Sequence, residues 1–470
     1  MRRRGEVLRF ELPMTAVVTG LTGPATGVHR LVGRPPAEST ATVIDTADHR
    51  LLSWGVELSR VAETGRWTLR APGWEPVLSA DRTMPQAEED IPSELAVLLV
   101  PFRRSGILAP VLEAASVRRR FTLVGQDGGA LGDLLDERVR VGQPPGELQA
   151  FRVVTLTTTG PVGAAVREVF LAAFADAGGT LIDRPPALAD RMGLIHSGPA
   201  EGRPSPRTPI EAFVADQLHA RWRRLLRADL VARTTDGTDA ELRDGVRSLR
   251  QELGALGPLF ATEWLAAAER RLDAALLDPR PLYRTERWLR ILDLLAEAAT
   301  EPPLPQVAGR LTGPVLAQEL EAIVRTMRDQ CHTLDSYSDD ARWARADQIA
   351  RRALTLSRLS RRVFGKHAKR LTRRLSAIVA PLDATVRPDP AALARDLRGL
   401  TAAEIFEAGR GYERTMLAVD YAREQFVREW PGLWHKLRTR VIRPRAPHYH
   451  PPTPAELPPR AAAGMEARAR

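Results

Sequence analysis

Positions 361 to 374, RRVFGKHAKRLTRR, carry seven Arg or Lys side chains and no acid, and Lys366 and Lys369 are two of only three lysines in the chain. Fixed cations of this kind hold phosphate or carboxylate oxygens: arginine through a planar fork of donors, lysine through a compact charge. Wound as a helix, Arg362, Lys366, Lys369 and Arg373 fall at i, i+4, i+7 and i+11, a single stripe with Arg370 on its border. Val363, Leu371 and Leu375 are then free to face a core. Like charges four residues apart oppose the helix by a few tenths of a kcal/mol per pair. No acid in the segment relieves them, so the stripe calls for an anionic ligand.

The preceding stretch adds Arg351, Arg352, Arg358 and Arg361, and more cations follow the same rhythm at Arg221, Arg223, Arg224, Arg227, Arg243, Arg247 and Arg250. The net charge is +10 and the pI about 10.5, a balance that favours anionic partners. Nearly all of the cations are arginine, amid much alanine, leucine and proline. That also fits a GC-rich coding bias, so clustered charge rather than the total is the signal.

Other chemistries find little support. No glycine-rich loop followed by Gly-Lys-Ser/Thr is present, and TGLTGPATG and VGQDGGALG read as hairpin turns. A single cysteine, Cys331, excludes an internal disulfide and a multi-cysteine metal site. His435, His448 and His450 fall in or near a Pro-rich tail, a poor frame for a metal. No apolar run approaches the ~20 residues of a membrane-spanning helix, and the basic N-terminus lacks the apolar stretch of a secretory signal. A cytoplasmic protein is expected.

Two kinds of element must position these residues. Up to about residue 160, short β-branched runs such as TATVIDT, RWTLRAP, RRRFTLV and AFRVVTLTT alternate with Gly, Pro and Asp turns and read as strands. PVGAAVREVFLAAFADAG has helical spacing and a glycine stop. From Pro209 the period changes: Ile210, Phe213, Val214, Leu218, Trp222 and Leu225 recur every three or four residues. Amphipathic stretches follow near 238–256, 260–276, 283–299, 312–334, 341–363, 366–380 and 402–429. The expected domains are a β-rich unit over 1–195, a linker over 196–208, a helical unit over 209–440 and a disordered tail over 441–470.

RRVFGKHAKRLTRRLSAIVAPL is similar to a segment of the CHAD family, the conserved-histidine α-helical domain. ELRDGVRSLRQELGALGPLF, PLYRTERWLRILDLL and YAREQFVREWPGLWHKLRTR resemble further segments of that family, in the same order. The resemblance covers about residues 209–440. It implies two pseudo-repeated four-helix bundles that bind inorganic polyphosphate through basic residues, here Arg247, Arg351, Arg352, Arg358, Arg362, Lys366, Lys369, Arg370 and Arg373. The family's two H-x-x-R segments are altered. Asp244 stands in the first histidine place, although Arg247 keeps the arginine. Ala344 and Asp347 take both places in the second.

TATVIDTADHRLLSWGVEL, GRWTLRAPG and SVRRRFTLVGQDGGALGDLLDERVRV resemble the CYTH family, whose fold is an eight-stranded antiparallel β-barrel of the triphosphate-tunnel type. The resemblance implies that Arg70, Arg118 and Arg120 hold an anion. The family's E-x-E-x-K strand is EVLRF here. Glu6 remains as a weak metal candidate, while Leu8 and Phe10 replace the other two and would line the lumen with apolar surface. Val153 and Thr155 stand where later carboxylates belong. Glu11 is the substitute carboxylate if the first strand is shifted in register.

The expected fold class is therefore α+β and multidomain, a tunnel-type barrel followed by two four-helix bundles. The expected function is non-enzymatic binding of polyphosphate, with an inactive tunnel, no cofactor, and association with polyphosphate granules. The alternatives are a Mg²⁺- or Mn²⁺-dependent triphosphatase or polyphosphatase, a nucleic-acid-binding protein, and a bundle that binds a protein partner.

Overall fold

A computed structural model describes residues 5–87, 89–142, 149–160, 164–194, 204–235, 238–388 and 401–438. The expected tail and His448 and His450 lie outside them, as do residue 195 and residues 196–203 of the expected linker. Contacts divide the chain into two compact units, Met1–Ser197 with Asp229–Gly237, and Gly198–Ala228 with Thr238–Arg470.

The first unit is built on ten strands: β1 Val7–Leu12, β2 Val28–Gly33, β3 Ala37–Asp45, β4 Glu57–Val61, β5 Arg66–Arg70, β6 Asp81–Ala87, β7 Ala109–Gly125, β8 Ala130–Gly142, β9 Gln149–Thr158 and β10 Thr180–Ile182. Every ladder is antiparallel. The order is β10-β1-β9-β8-β7-β3-β4-β5-β6, with β2 branching from β7. No ladder among the described residues joins β6 to β10, so the sheet is not closed. The eight-stranded closed barrel of the sequence expectation is a ten-stranded open sheet here. β7 is long enough to pair with β3 through its first half and β2 through its second.

Helix α1 (Arg50–Ser53) follows the buried Asp45, whose carboxylate accepts from the backbone N–H groups of Thr46, Leu51 and Leu52 at 2.6–2.9 Å. This ties the end of β3 to the first helical turn. Helix α2 (Ser93–Arg103) is apolar on its packed side through Leu95, Leu98, Leu99 and Phe102. Helix α3 (Ala164–Asp176) lays Phe170 and Phe174 on β1, β8 and β9, where Leu8, Phe10, Leu134, Val154 and Leu156 form the main core. Helix α4 (Leu188–Arg191) contributes Leu188 and Ala189 to a second core with Val43, Leu112 and Val141.

The second unit is helical, with the last turns of α5 belonging to the first: α5 Ile210–Thr234, α6 Ala240–Ala255, α7 Thr262–Leu276, α8 Glu286–Thr300, α9 Thr312–His332, α10 Asp340–Leu359, α11 Arg361–Phe364, α12 Lys366–Asp383 and α13 Ala402–Arg438. Two starts are capped by a side chain: Thr285 accepts from Trp288 N–H at 3.3 Å and Asp339 from Arg342 N–H at 2.7 Å. α6 packs on α7 and α10, α7 on α8, and α10 on α9 and α12, with α13 against α12. Residues 204–208, read as linker, are held in place. Thr208 carbonyl accepts both the N–H and the hydroxyl of Thr312, and Pro206 carbonyl accepts from Gly313 N–H.

Candidate anion-binding site

The basic segment is not one helix. Gly365 adopts φ 55° and ψ −121°, a left-handed conformation that a side chain resists. It ends α11 after one turn and starts α12 afresh at Lys366. Arg362 therefore leaves the expected stripe, and the stripe that remains is Lys366, Lys369, Arg370 and Arg373 on α12, opposite the buried Ala368, Leu371 and Leu375. All four cations are exposed, and among the described residues none has an ion-pair or hydrogen-bond partner. Three of them stand in the first turn and a half of α12, which holds no acid and no side-chain cap. A helix N-terminus carries partial positive charge, so each such cation is misplaced by roughly 0.3–1 kcal/mol. An anion lying there would reverse the sign of that interaction.

The other expected ligands divide. Arg358 and Arg361 are exposed and unpaired among the described residues. Arg362 donates to Asp216 of α5 at 3.2 Å. That contact brings α5 beside α11, and Arg224 joins the group. Its pKa is lowered by desolvation and by the neighbouring Arg221 and Arg362. Arg224 was visible in the sequence as one of several cations in a basic helix, but without a spacing that would join it to residue 362.

Arg352 is half-buried, with Nε lacking a partner, and it lies near Glu319. Arg351 is held by Asp347 at 2.7 Å and also by Asp383, and Arg247 is held by Asp244. Asp244 and Asp347 each neutralise a neighbouring arginine. Asp244→Ala is expected to free Arg247 and tighten polyanion binding roughly two- to fivefold at low salt, the scale of one exposed pair; a titration of variant against parent reads this directly.

In the sheet, residues directly opposite in an antiparallel ladder share a face. Leu112, Arg118 and Arg120 lie on one face of β7. Leu112 pairs with Val43, Val43 with Ser59 and Ser59 with Thr68. Arg70, two residues beyond Thr68, therefore shares the face of Arg118 and Arg120. In the other direction Arg118 pairs with Glu137, Glu137 with Val153 and Val153 with Glu11, so Glu11 belongs to this face too. Leu8 and Phe10 do not. They point to the opposite face, where Phe10 stacks on Phe174 at 4.0 Å between ring centroids. Their expected place on the arginine-bearing face is corrected by the pleat: the apolar alternate positions of β1 are taken up under α3.

Glu6 goes with them, accepting from Arg167 Nε of α3 at 2.7 Å. It is not beside Arg118 or Arg120. On the arginine face Glu137, Glu11 and Asp81 are already engaged by arginines. Glu137 accepts from Arg118 at 2.6 Å, and Glu11 from Arg191 at 2.6 Å. Asp81 lies 3.8 Å from Arg70, and Glu57, opposite Arg70, has its pKa raised chiefly by burial. Arg120 has no partner among the described residues. α4 covers part of this face, and its Arg191 guanidinium lies 3.9 Å over the Phe151 ring. No group of three or more His, Cys, Asp or Glu side chains converges among the described residues. Cys331 is buried, and burial pushes its thiol up to about 12.

No helix among the described residues is long and apolar enough to cross a membrane. Compared with known proteins, the chain matches no family model, and no curated protein matches it.

Proposed function

We propose that this chain is a binding protein for inorganic polyphosphate, and that the helical unit carries the binding. The supporting observation is the α12 stripe. Four exposed cations without partners among the described residues, three of them at a helix N-terminus, form an arrangement that a phosphate chain completes electrostatically. Arg358 and Arg361 extend it, and Arg224 with Arg362 adds a neighbouring cation pair. We read the helical unit as CHAD-like, two four-helix bundles, and the sheet as CYTH-like, an open form of that family's tunnel. In the sheet Arg120, and Arg118 and Arg70 once released from their acids, offer a secondary anion site. Glu137, Glu11 and Asp81 are committed to arginines, so binding without turnover is the expected behaviour. A cytoplasmic protein in contact with polyphosphate granules fits this reading.

The test is a titration of the full chain with long-chain polyphosphate beside single-stranded and duplex DNA of matched charge. Polyphosphate is expected to bind most tightly, with log affinity falling linearly with log salt as counterions are released. A phosphate-release assay with Mg²⁺ or Mn²⁺ and triphosphate, ATP or polyphosphate is expected to show no turnover. Equal or tighter DNA binding would favour the nucleic-acid alternative. Metal-dependent hydrolysis lost on Glu11→Gln would favour the phosphohydrolase.

A further inference from the structure

Helix α13 is 37 residues long, and its buried positions begin only at Val419. The turns before and just after it carry large apolar side chains that nothing among the described residues covers: Phe406 is 66% exposed, Leu417 65% and Tyr421 63%. Phe406, Leu417 and Tyr421 stand on one stripe with Ala402, Arg410 and Glu413, spaced 4, 4, 3, 4 and 4 residues apart. The stripe is a palindrome in chemistry. An antiparallel copy, related by a two-fold axis between Gly411 and Tyr412, would set Phe406 against Leu417, Arg410 against Glu413 and Ala402 against Tyr421, each contact made twice. This is the self-complementarity that an isologous two-fold interface requires.

The charges agree with that occupant. Within one chain Arg410 meets Glu407 at 3.1 Å, both exposed, a pair worth little. Glu413 has no partner among the described residues. A second chain would give Glu413 an arginine and cover the flanking aromatics together. Gly409 and Gly411 stand inside the helix, and a methyl group placed on either would meet nothing within 4 Å. They weaken an isolated helix and serve no packing against the described residues of one protomer.

We infer that α13 is a dimerisation arm and that its occupant is the same stripe of a second copy of this chain, docked antiparallel. The stripe spans roughly 28 Å of helix. One such helix pair lies at the small end of stable interfaces, below about 1,200 Å² in total, so the dimer is concentration-dependent and dissociates in the micromolar range.

Sedimentation velocity on the full chain, across micromolar concentrations and without polyphosphate, tests this separately from the proposed function. The parent is expected to pass from monomer to dimer. Leu417→Glu is expected to be monomeric with an unchanged helical circular-dichroism signal, because Leu417 is exposed. Arg410→Glu alone and Glu413→Arg alone are each expected to weaken the dimer at least fivefold, and the two together in one chain to restore it, since both partners then exchange charges. A parent that stays monomeric, a Leu417→Glu variant that still dimerises, or a charge swap without recovery overturns the inference. So does a monomer whose stripe resists proteolysis, which would assign the cover to another segment of the chain.

Discussion

Reversing charge at Lys366, Lys369 and Arg373 together is expected to remove most polyphosphate binding by the full chain and to leave its fold intact. Each phosphate neutralised by a side chain contributes about 0.7–0.9 to the slope of log affinity against log salt for nucleic acids. Three lost contacts should flatten the slope by two to three units and lower affinity at least about a hundredfold near 0.15 M salt. Reversal adds repulsion to that loss. The fold should not respond, because all three side chains are exposed, opposite Leu371 and Leu375; such surface changes shift stability by under about 0.5 kcal/mol each. Arg362 is left out of the variant because Gly365 turns it off the stripe and Asp216 holds it. Titration at several salt concentrations, beside an unfolding midpoint, reads both halves. A triple variant that binds like its parent places the polymer elsewhere, and one that unfolds shows that the stripe is structural.

The helical half was legible because its period is strong. The stretch read near 283–299 is α8 at Glu286–Thr300, and that near 312–334 is α9 at Thr312–His332. Each repeats a buried apolar residue every three or four positions. In the β-rich half α2 was missed. SELAVLLVPFR is apolar nearly throughout, and a short apolar run has no period that separates helix from strand. The break at Gly365 falls between the stretches read at 341–363 and 366–380, but drawing Arg362 onto the α12 stripe ignored it, since one glycine inside a helical pattern can be tolerated or can end it. What sequence could not rank was the arginines. Arg351 and Arg373 look alike in a string, yet Asp347 and Asp383 occupy one and nothing among the described residues occupies the other. Pairing of that kind is decided by what lies across a helix or a ladder, and Asp383 is 32 residues away. The face taken by Glu6, Leu8 and Phe10 was misread for a related reason. One residue of register moves every side chain to the other face, and β1 offers apolar residues at Leu8, Phe10 and Leu12 to whichever face α3 covers.

Arg152 is the extreme case of an arginine that structure claims for itself. It sits in FRVVTLT, a strand in which Val153 and Thr155 drew notice as missing carboxylates. Its side chain is 7% exposed and its partner Asp136 is 8% exposed. Nε and Nη2 donate to the two Asp136 oxygens at 2.7 and 2.9 Å, and Nη1 donates to the Ala16 carbonyl at 2.6 Å. This forked geometry satisfies both charges where water has little access. Removing one partner strands the other, so Asp136→Ala is expected to destabilise the first unit by about 3–5 kcal/mol. That is a large share of the ~5–15 kcal/mol that typically holds a domain. The change should appear as a lower urea midpoint in a signal from the sheet. The double variant Asp136→Leu with Arg152→Met should recover most of the loss, because an apolar pair of similar volume leaves no buried charge behind. Polyphosphate binding by either variant, measured where the protein is folded, should match the parent, since neither residue lies in the helical site. An Asp136→Ala variant with an unchanged midpoint would mean that Arg152 finds another acceptor. A double variant as unstable as the single would mean that the Ala16 contact, and not the ion pair, holds that end of β9.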